Sequence, residues 1–469
     1  MCPKFSLSLT YLILPLLLFG VWSCTSPEPA SPPPNVILLL ADDLGWGDTG
    51  FQGHPHIQTP ALDQLASNGL IMERFYAAAP VCSPTRGSCL TGRHPDRYGI
   101  FTANVGHLPA EELTLAEVLQ AEGYATGFFG KWHLGTLTTE VQDANRGGRP
   151  EHAAHFNPPR EHGFEVSFAT ESKVPTWNPM LTPEKAAGGV GNQGLGQPFG
   201  TRYWDTNGQI VEENLTGDDS RVIMDRALPF IQQSVEAGKP FLAVIWFHAP
   251  HTPVVGGSEL LAQYAHLPEE QQHYYSCITA LDQQVGRLNR ELQSLGVSAN
   301  TLQFFASDNG PENDRNRPRS LGITAGLSER KRSLKEGGIR VPGIAHFPAK
   351  IAPNSRTTTP FSTSDYLPTV LDLLDLQPDL PAPLDGESML PFLESPTLAR
   401  TSPIGFHFRQ QSALIAGNYK LFQAHPDSSF QLFDLATDPG EQLNLALQEE
   451  ELQDSLRKSL VAWRAGLEE

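Results

Sequence analysis

Four mostly apolar runs in the chain have the length of buried β-strands. They lie at residues 36–40, 124–130, 241–247 and 302–306. The run at 36–40 is continuously apolar, as expected of a strand that is buried on both faces. Apolar residues at three-to-four spacing predict a long amphipathic helix over 269–295. Buried strands that alternate with helices indicate an α/β fold.

Each of these runs is followed by polar side chains that can carry chemistry. The four clusters are Asp42-Asp43, Lys131 with His133, His248 with His251, and Asp308-Asn309. Adjacent carboxylates at the end of a buried strand cost free energy unless they are paired or bind a cation, and oxygen ligands favour a hard cation such as calcium or magnesium. In open α/β sheets, ligands bind at the carboxyl ends of the strands. Because such polar residues follow all four runs, the sequence predicts one site that is built from the ends of several strands.

Taken singly, each of these residues also has an ordinary structural interpretation. Lys131 is equally consistent with a solvated surface lysine, and His133 with a hydrogen-bonded histidine in a loop. Two adjacent aspartates are common in loops. Only the coincidence at four strand ends favours a functional interpretation.

A short helix is expected directly after Cys82. Ser83 suits the N-cap, Pro84 suits the first helical position, and Gly92 lies where a C-terminal cap would fall, so the helix should cover about 84–90. Cys82 then lies at the positive end of the helix dipole, where an anion or a thiolate is stabilised. Arg86 adds a fixed charge one turn further on. The alternative is a buried or disulfide-bonded thiol, but two helical turns, roughly 10 Å, separate Cys82 from Cys89, too far for a disulfide bond.

The final part of the chain has a different pattern. Short β-like segments at 403–408, 413–416, 419–423 and 430–434 indicate antiparallel strands, and 449–468 indicates a closing helix. We therefore expect a large domain over residues 35–395 and a small C-terminal subdomain over 396–469. Residues 136–205 are irregular and rich in Gly, Pro, Asn and His, which is typical of surface loops that shape access to a site.

The N-terminus is typical of an export signal. Lys4 precedes an apolar stretch at 7–22 that is short for a membrane span. The residues before Cys24 resemble a bacterial lipoprotein cleavage box, which predicts a lipid-anchored chain that begins at Cys24; a plain signal peptide cut nearby is the alternative. The Pro-rich residues 25–34 would then be an extended linker. We expect a periplasmic or cell-surface protein.

The overall charge limits the class of partner. The formal net charge is -19, which argues against general binding to nucleic acid or to an anionic membrane surface. An anionic substrate would therefore need a local positive site. The basic stretch at 315–340 is either a solvated face or part of such a site.

Several motifs, taken in order, resemble the type I sulfatases. Cys82-x-Pro84-x-Arg86 followed by Thr91-Gly92-Arg93 is similar to the signature at which that family converts cysteine to formylglycine. Further similarities are Asp42-Asp43-Leu44-Gly45, Gly130-Lys131-Trp132-His133, Pro250-His251-Thr252-Pro253, Ser307-Asp308-Asn309-Gly310 and Glu336-Gly337-Gly338-Ile339-Arg340. The resemblance covers nearly all of the chain from Asn35. It implies an alkaline phosphatase-like α/β domain with a large mixed sheet flanked by helices, plus a small four-stranded antiparallel subdomain.

The resemblance also implies roles for single residues. One calcium ion would be bound by Asp42, Asp43, Asp308, Asn309 and the modified Cys82. Arg86 matches the residue that steadies the formylglycine, and Lys131, His133, His251 and Lys331 match the groups around the sulfate. Lys331 is preferred to Lys335 because of its distance from Glu336, although Ser328-Glu329 departs from the usual family pattern. His248 matches no required role and either lines the pocket or is structural.

The implied function is hydrolysis of sulfate esters, with a sulfated carbohydrate as substrate and a formylglycine-generating enzyme as maturation partner. Two alternatives stay open at this point. One is a phosphate mono- or diesterase of the same superfamily, and the other is an inactive protein that binds sulfated glycans. The residue types expected for the metal ligands, the nucleophile and the lysines are all present, which argues against the inactive binding protein.

Overall fold

The computed structural model describes residues 1, 3, 4, 7, 32–188, 194–312 and 319–467. Most of the expected signal segment, including Cys24, and most of the Pro-rich linker lie outside these residues. Residues 33–469 form one compact unit. Among the described residues, no helix has both the length and the apolar composition needed to cross a membrane.

The described strands run from Asn35 to Asp434. They are β1 Asn35–Ala41, β2 Leu70–Met72, β3 Phe75–Tyr76, β4 Ala125–Lys131, β5 Val166–Thr170, β6 Tyr203–Asp205, β7 Ile210–Val211, β8 Phe241–Trp246, β9 Thr301–Ser307, β10 Arg340–Val341, β11 Ile344–His346, β12 Ser355–Thr357, β13 Phe361–Ser362, β14 Ile404–Phe408, β15 Gln411–Ala416, β16 Tyr419–Gln423 and β17 Gln431–Asp434.

The described α-helices lie between and after these strands. They are α1 Pro60–Ser67, α2 Cys82–Thr91, α3 Leu115–Ala121, α4 Asp219–Glu236, α5 Ser258–Gln263, α6 Glu269–Ser294, α7 Glu336–Ile339, α8 Tyr366–Leu373, α9 Leu390–Glu394 and α10 Glu450–Ala465.

A ten-stranded mixed sheet forms the centre of the molecule, in the order β12-β2-β11-β9-β1-β8-β4-β5-β6-β7. Its middle strands β9, β1, β8, β4 and β5 are parallel. Both faces are buried: Leu38 and Leu40 of β1 belong to the apolar core on one side, whereas Ile37 and Leu39 belong to the core on the other. This explains the continuous apolar run, and it confirms the predicted α/β class with a large mixed sheet.

Helices cover the two faces of this sheet. On one side, α4 and α6 contribute Ile223, Ile231, Ile278 and Leu281 to the core. On the other side lie α2, α3 and α8. α3 starts with a capping box, in which the Thr114 side chain accepts from the Glu117 backbone and the Glu117 side chain accepts from the Thr114 backbone.

A separate antiparallel sheet is formed by β14, β15, β16 and β17, in that order, as predicted for the last part of the chain. One face packs on α10 through Leu414, Leu421 and Leu460. The other face packs through Phe406 and Phe422 on residues from earlier in the chain. Among these are Val81, which precedes α2, and Leu334, which precedes α7.

The start of α2 differs from the sequence prediction. α2 begins at Cys82, with Val81 rather than Ser83 in the N-cap position and without a side-chain cap bond. The Thr85 hydroxyl holds this turn instead, since it donates to Ala79 O and accepts from Ala79 N.

A buried cluster of charged side chains connects the four-stranded sheet with the loop 328–336. Lys420 of β16 is fully buried and contacts Glu336 Oε1 at 2.9 Å and Glu441 Oε1 at 3.1 Å. Glu441 in turn accepts from Glu336 N at 2.7 Å and from the Ser328 hydroxyl. Because charges removed from water are stable only when paired, this cluster fixes the loop 328–336 against the small sheet.

Replacing Lys420 with Met should therefore lower the stability of the protein sharply. The change leaves Glu336 and Glu441 buried without their shared cation, and breaking such a cluster typically costs about 3–5 kcal/mol. The measurement is the free energy of unfolding in denaturant, or the thermal midpoint. Lys458→Met is the control, because Lys458 is exposed and pairs with Asp454 on the surface of α10; its effect should stay within about 0.5 kcal/mol. Equal stability of the two variants would contradict this account.

Candidate active site

Four neighbouring parallel strands end at one edge of the large sheet. In sheet order these strands are β9, β1, β8 and β4. Asp308 follows β9, Asp42 and Asp43 follow β1, and Lys131 is the last residue of β4. His251 lies just beyond β8, and backbone bonds from Asp42 N to Ala249 O and from Asp308 N to Ala41 O connect these strand ends. The structure thus brings together residues that are up to 266 positions apart.

Helix α2 places Cys82 at this edge. Cys82 is the first residue of the helix and is 2% exposed. Its Sγ lies 3.5 Å from Asp42 Oδ1 and 3.5 Å from Lys331 Nζ. Within the described residues, Cys82, Cys89 and Cys277 are all free and buried, in agreement with the absence of a Cys82–Cys89 bridge expected from their spacing.

The oxygen atoms of the site are closely linked to one another. Asp308 Oδ1 accepts from Asp43 N at 3.2 Å, and Asn309 Nδ2 donates to Asp43 Oδ1 at 2.7 Å. Asp43 adopts a left-handed backbone conformation, with φ of 67°, which turns its carboxylate toward these partners. Asp43 Oδ2 and Asn309 Oδ1 are buried and make no hydrogen bond within the described part of the chain. Two buried oxygens without a donor are a sign of a cation site.

Among the residues that the structure describes, three cationic side chains surround the carboxylates. Arg86 Nη2 lies 2.7 Å from Asp308 Oδ2 and 3.5 Å from Asp42 Oδ2, and Arg86 Nη1 donates to Lys131 O at 2.9 Å. Lys131 Nζ lies 2.5 Å from Asp42 Oδ2, and Lys331 Nζ pairs with Asp43 Oδ1. All of these side chains are nearly inaccessible to water. Three carboxylates are thus matched by three cations, as a buried cluster requires.

These neighbours shift the pKa values of the buried acids in different directions. Burial alone would raise the pKa of Asp42, but Lys131, His251 and Arg86 hold it well below the usual value. Burial raises the pKa of Asp43 despite Lys331. Burial, with the charge of Asp42, raises the pKa of Asp308 to about 6. Burial and the Asp308 carboxylate raise the pKa of the Cys82 thiol to about 12, so that the unmodified residue is a thiol at neutral pH, not the thiolate that its helix position suggested.

Two histidines of the site are held in defined orientations. His251 Nδ1 lies 2.6 Å from Thr252 O, to which it donates, and His251 Nε2 lies 3.7 Å from Asp43 Oδ2. His133 Nε2 lies 2.9 Å from Asn104 Oδ1, which requires a proton on Nε2. Burial lowers the pKa of both imidazoles well below the usual value. His133 Nδ1 is buried and makes no hydrogen bond with the described residues, so it can accept a proton.

His248 does not join the site, although it also follows β8. It is fully buried, with Nε2 at 2.7 Å from Thr170 Oγ1 and Nδ1 at 2.8 Å from Asp219 Oδ2. Thr170 Oγ1 donates onward to Ser172 O. Of the two interpretations of His248 that the sequence left open, these contacts favour the structural one.

The donor set fits a hard divalent cation. One ligand atom each from Asp42, Asp43, Cys82 and His251 lie within 4.8 Å of one another. Asp308 and Asn309 adjoin this group through Asp43. Carboxylate and amide oxygens dominate, which is the chemistry that calcium or magnesium prefers. The group includes His251, which the family resemblance implied would contact sulfate rather than metal.

One feature of the site was not predicted from the sequence. Asn104, which orients His133, lies in an irregular loop with φ of 62°, and the only local signal is the tolerance of Asn for that conformation.

The residues of the basic stretch at 315–340, for which the sequence left open a solvated face or a part of the site, have several different roles. Of its described residues, Lys331 enters the site, whereas Arg332 pairs with Glu312, Arg340 donates to Glu73 O and Lys335 lies over the Phe433 ring.

Comparisons with known proteins agree along nearly the whole chain. Residues 34–376 match the Sulfatase family, and residues 329–466 match the C-terminal region of N-sulphoglucosamine sulphohydrolase. The mouse (Mus musculus) N-acetylgalactosamine-6-sulfatase is 30% identical over 499 residues, which cover 96% of this chain and 88% of the mouse protein. Bovine (Bos taurus) arylsulfatase A is 34% identical over 454 residues, which cover 89% of this chain and 84% of the bovine protein. The crystal structure of Ps i-CgsB in complex with k-i-k-neocarrahexaose has a TM-score of 0.76 and 27% identity and covers 92% of both chains.

Proposed function

This chain belongs to the sulfatase family and is a sulfuric ester hydrolase, and we propose that it cleaves sulfate esters of saccharides with a formylglycine formed from Cys82 and one calcium ion. The observation that carries the proposal is a single buried site in which Cys82, at the start of α2, contacts both Asp42 and Lys331. An aldehyde hydrate at that position would lie between acidic and cationic groups.

A saccharide substrate is supported by the similar proteins. One is named as an N-acetylgalactosamine-6-sulfatase, and another was crystallised with k-i-k-neocarrahexaose. The local charge is consistent with this class, because Arg86, Lys131 and Lys331 balance the three carboxylates, so that a bound divalent ion would make the site positive in a protein whose net charge is -19. A sulfate ester carries one negative charge, so a single divalent ion together with these side chains can balance it.

The residues can be assigned the following parts of the reaction. A formylglycine at residue 82 would supply, in its hydrated form, two hydroxyls on one carbon, so that attack on sulfur and the later release of sulfate could take place at the same carbon. The Asp308 carboxylate, oriented by Arg86, accepts the proton of the attacking hydroxyl. Lys131 and Lys331 stabilise negative charge on the sulfate oxygens. The leaving oxygen receives its proton from Lys331 or His251, the two groups that contact Asp43. His251 can act in this way only after Nε2 has taken up a proton, because its Nδ1 proton is bonded to Thr252 O.

His133 is assigned to the second half of the reaction. Its Nε2–H is fixed by Asn104, so Nδ1 carries the lone pair that can take a proton when sulfate is expelled. The calcium ligands proposed are Asp42, Asp43, Asp308, Asn309 and the modified Cys82. A bound divalent ion supplies Lewis-acid stabilisation of the sulfate oxygens. We also assign catalysis to residues 35–395, with residues 396–469 as a supporting subdomain.

The first prediction concerns the modification of Cys82. Protein co-expressed with a formylglycine-generating enzyme should contain the aldehyde at residue 82, and aryl sulfatase activity should rise in proportion to the modified fraction measured by peptide mass spectrometry. Cys82→Ala should abolish turnover. Cys89→Ala is the matched control, because Cys89 is a second free, buried cysteine on α2, two helical turns beyond Cys82. Full activity in protein that carries only the thiol at residue 82 would exclude this mechanism.

The second prediction concerns the metal. Calcium should bind with a stoichiometry of one and raise the thermal midpoint, because it satisfies the buried oxygens of Asp43 and Asn309. Chelation should remove both the activity and the stabilisation, and Asp43→Asn should weaken both. Asp427→Asn, at an exposed carboxylate far along the chain, should change neither. Activity that survives chelation, or that requires stoichiometric zinc instead, would contradict the assignment.

The third prediction concerns export. We propose that the chain is lipidated at Cys24 and faces the periplasm or the cell surface, on the basis of the apolar segment and the residues that precede Cys24. Metabolic labelling with a fatty-acid analogue should label the wild-type protein but not Cys24→Ala. An unlabelled product that begins at another residue would indicate simple secretion.

A further inference from the structure

A cavity with a volume of about 370 Å³ lies in the irregular part of the chain between β4 and β6. Its walls come from residues 142–149, 172–173 and 199–202, which are distant in sequence. We call it the cationic cavity, because Arg149, Lys173 and Arg202 line it together with one carboxylate, Asp143.

The cationic cavity is connected to the reactive centre by direct contacts. Asn145 of the cavity wall donates to Asn104 Oδ1 at 3.0 Å, and the same oxygen lies 2.9 Å from His133 Nε2. Lys173 follows β5, which pairs with β4 so that Thr170 lies opposite Lys131. Lys173 is also close enough to His251 to contribute to the lowering of its pKa. The cavity therefore borders the place where the sulfate ester would lie.

The charge of the cavity is positive, even though Asp143 lines it. Asp143 is 1% exposed, and its two oxygens accept from Arg202 N and from Trp204 Nε1, each at 2.7 Å. Burial raises the pKa of Asp143 to about 6. The carboxylate is thus occupied within the wall, whereas the three cationic side chains are each partly exposed.

The two guanidinium groups of the cavity are held in place before any ligand binds. Arg149 donates to Asp143 O and Ala144 O, and Arg202 donates to Gln142 O. A guanidinium has five N–H donors in a planar fork, so such bonds anchor it and leave donors for an anion. The backbone next to Lys173 is fixed by the buried Asp219–His248–Thr170 contacts, since Thr170 Oγ1 donates to Ser172 O at 2.8 Å. The buried His248 thus has a structural role, since it helps to fix the backbone beside Lys173.

We propose that the cationic cavity binds a second anionic group of the substrate, a sulfate ester or a carboxylate, next to the ester that is cleaved. The inference rests on the proposed function and specifies its substrate class as saccharides with at least two anionic groups. A pre-oriented fork favours planar or tetrahedral oxyanions over neutral hydroxyls, because charge-assisted hydrogen bonds are about twice as strong as neutral ones. Arg149, Lys173 and Arg202 would then determine specificity without touching the reacting atoms.

The test is competition against the hydrolysis of para-nitrophenyl sulfate by the matured full-length enzyme. Three competitors are compared: N-acetylgalactosamine with one sulfate ester, the same sugar with two, and the one-sulfate sugar joined to a uronic acid. For the wild type, at least one of the doubly anionic competitors should have an inhibition constant about tenfold or more below that of the first. The second and third competitors distinguish a sulfate from a carboxylate as the preferred group.

Arg202→Gln, Arg149→Gln and Lys173→Gln should each reduce that preference by about tenfold, the loss expected for one charge-assisted hydrogen bond. Arg290→Gln and Lys239→Gln, at exposed positions outside the cavity, are the matched controls and should keep the full preference. Thermal midpoints confirm that all variants are folded. Equal inhibition by the three competitors, or a preference unchanged in all three cavity variants, overturns the inference while aryl sulfate turnover persists. Loss of the proposed function is distinguishable, because then the matured wild type would not hydrolyse the aryl sulfate at all.

Discussion

The structure depends on the pairing of three buried carboxylates with three buried cations at the ends of β1, β4 and β9. Asp42, Asp43 and Asp308 could not remain charged in this position alone, because an isolated buried carboxylate would take up a proton. Arg86, Lys131 and Lys331 offset that cost, and each comes from a different part of the chain. The cluster can therefore form only when the sheet, α2 and the loop 328–336 are all in place.

The same reasoning explains the small C-terminal sheet. Lys331 lies on a loop whose neighbours are held from two sides: Lys331 N donates to Pro311 O, and Leu334 N donates to Gln411 Oε1 of β15. The Lys420 cluster fixes the end of that loop at Glu336. Because Lys331 contacts both Asp43 and Cys82, a displacement of the small sheet would reach the site through this loop. The small C-terminal sheet thus helps to keep the Lys331 ammonium group in place beside Asp43 and Cys82.

The sequence was sufficient for the features that follow from local patterns. The apolar runs predicted four of the five parallel strands, β1, β4, β8 and β9, and the polar residues directly after them lie along one edge, since the ends of adjacent parallel strands are close together. The fifth, β5, was missed, because it lies within residues 136–205, whose composition indicated only surface loops. The predicted start of α2 was wrong by about two residues. No Ser83 side chain caps the helix; the Thr85 hydroxyl stabilises its first turn by bonding to Ala79. Long-range partners such as Asn104 and the Asp219–His248–Thr170 contacts left no local signal, since they depend on how irregular segments fold back on the sheet.

We propose that the balance of charges makes this site selective for a monoanionic sulfate ester. The most direct test is to compare turnover of para-nitrophenyl sulfate and para-nitrophenyl phosphate by the same matured, calcium-loaded enzyme near neutral pH. The two esters differ mainly in charge, because the phosphate monoester carries close to two negative charges, and the three cations of the site are already matched by three carboxylates. The account predicts that kcat/KM for the sulfate exceeds that for the phosphate by on the order of 100-fold or more. Comparable values, or a preference for the phosphate, would contradict it.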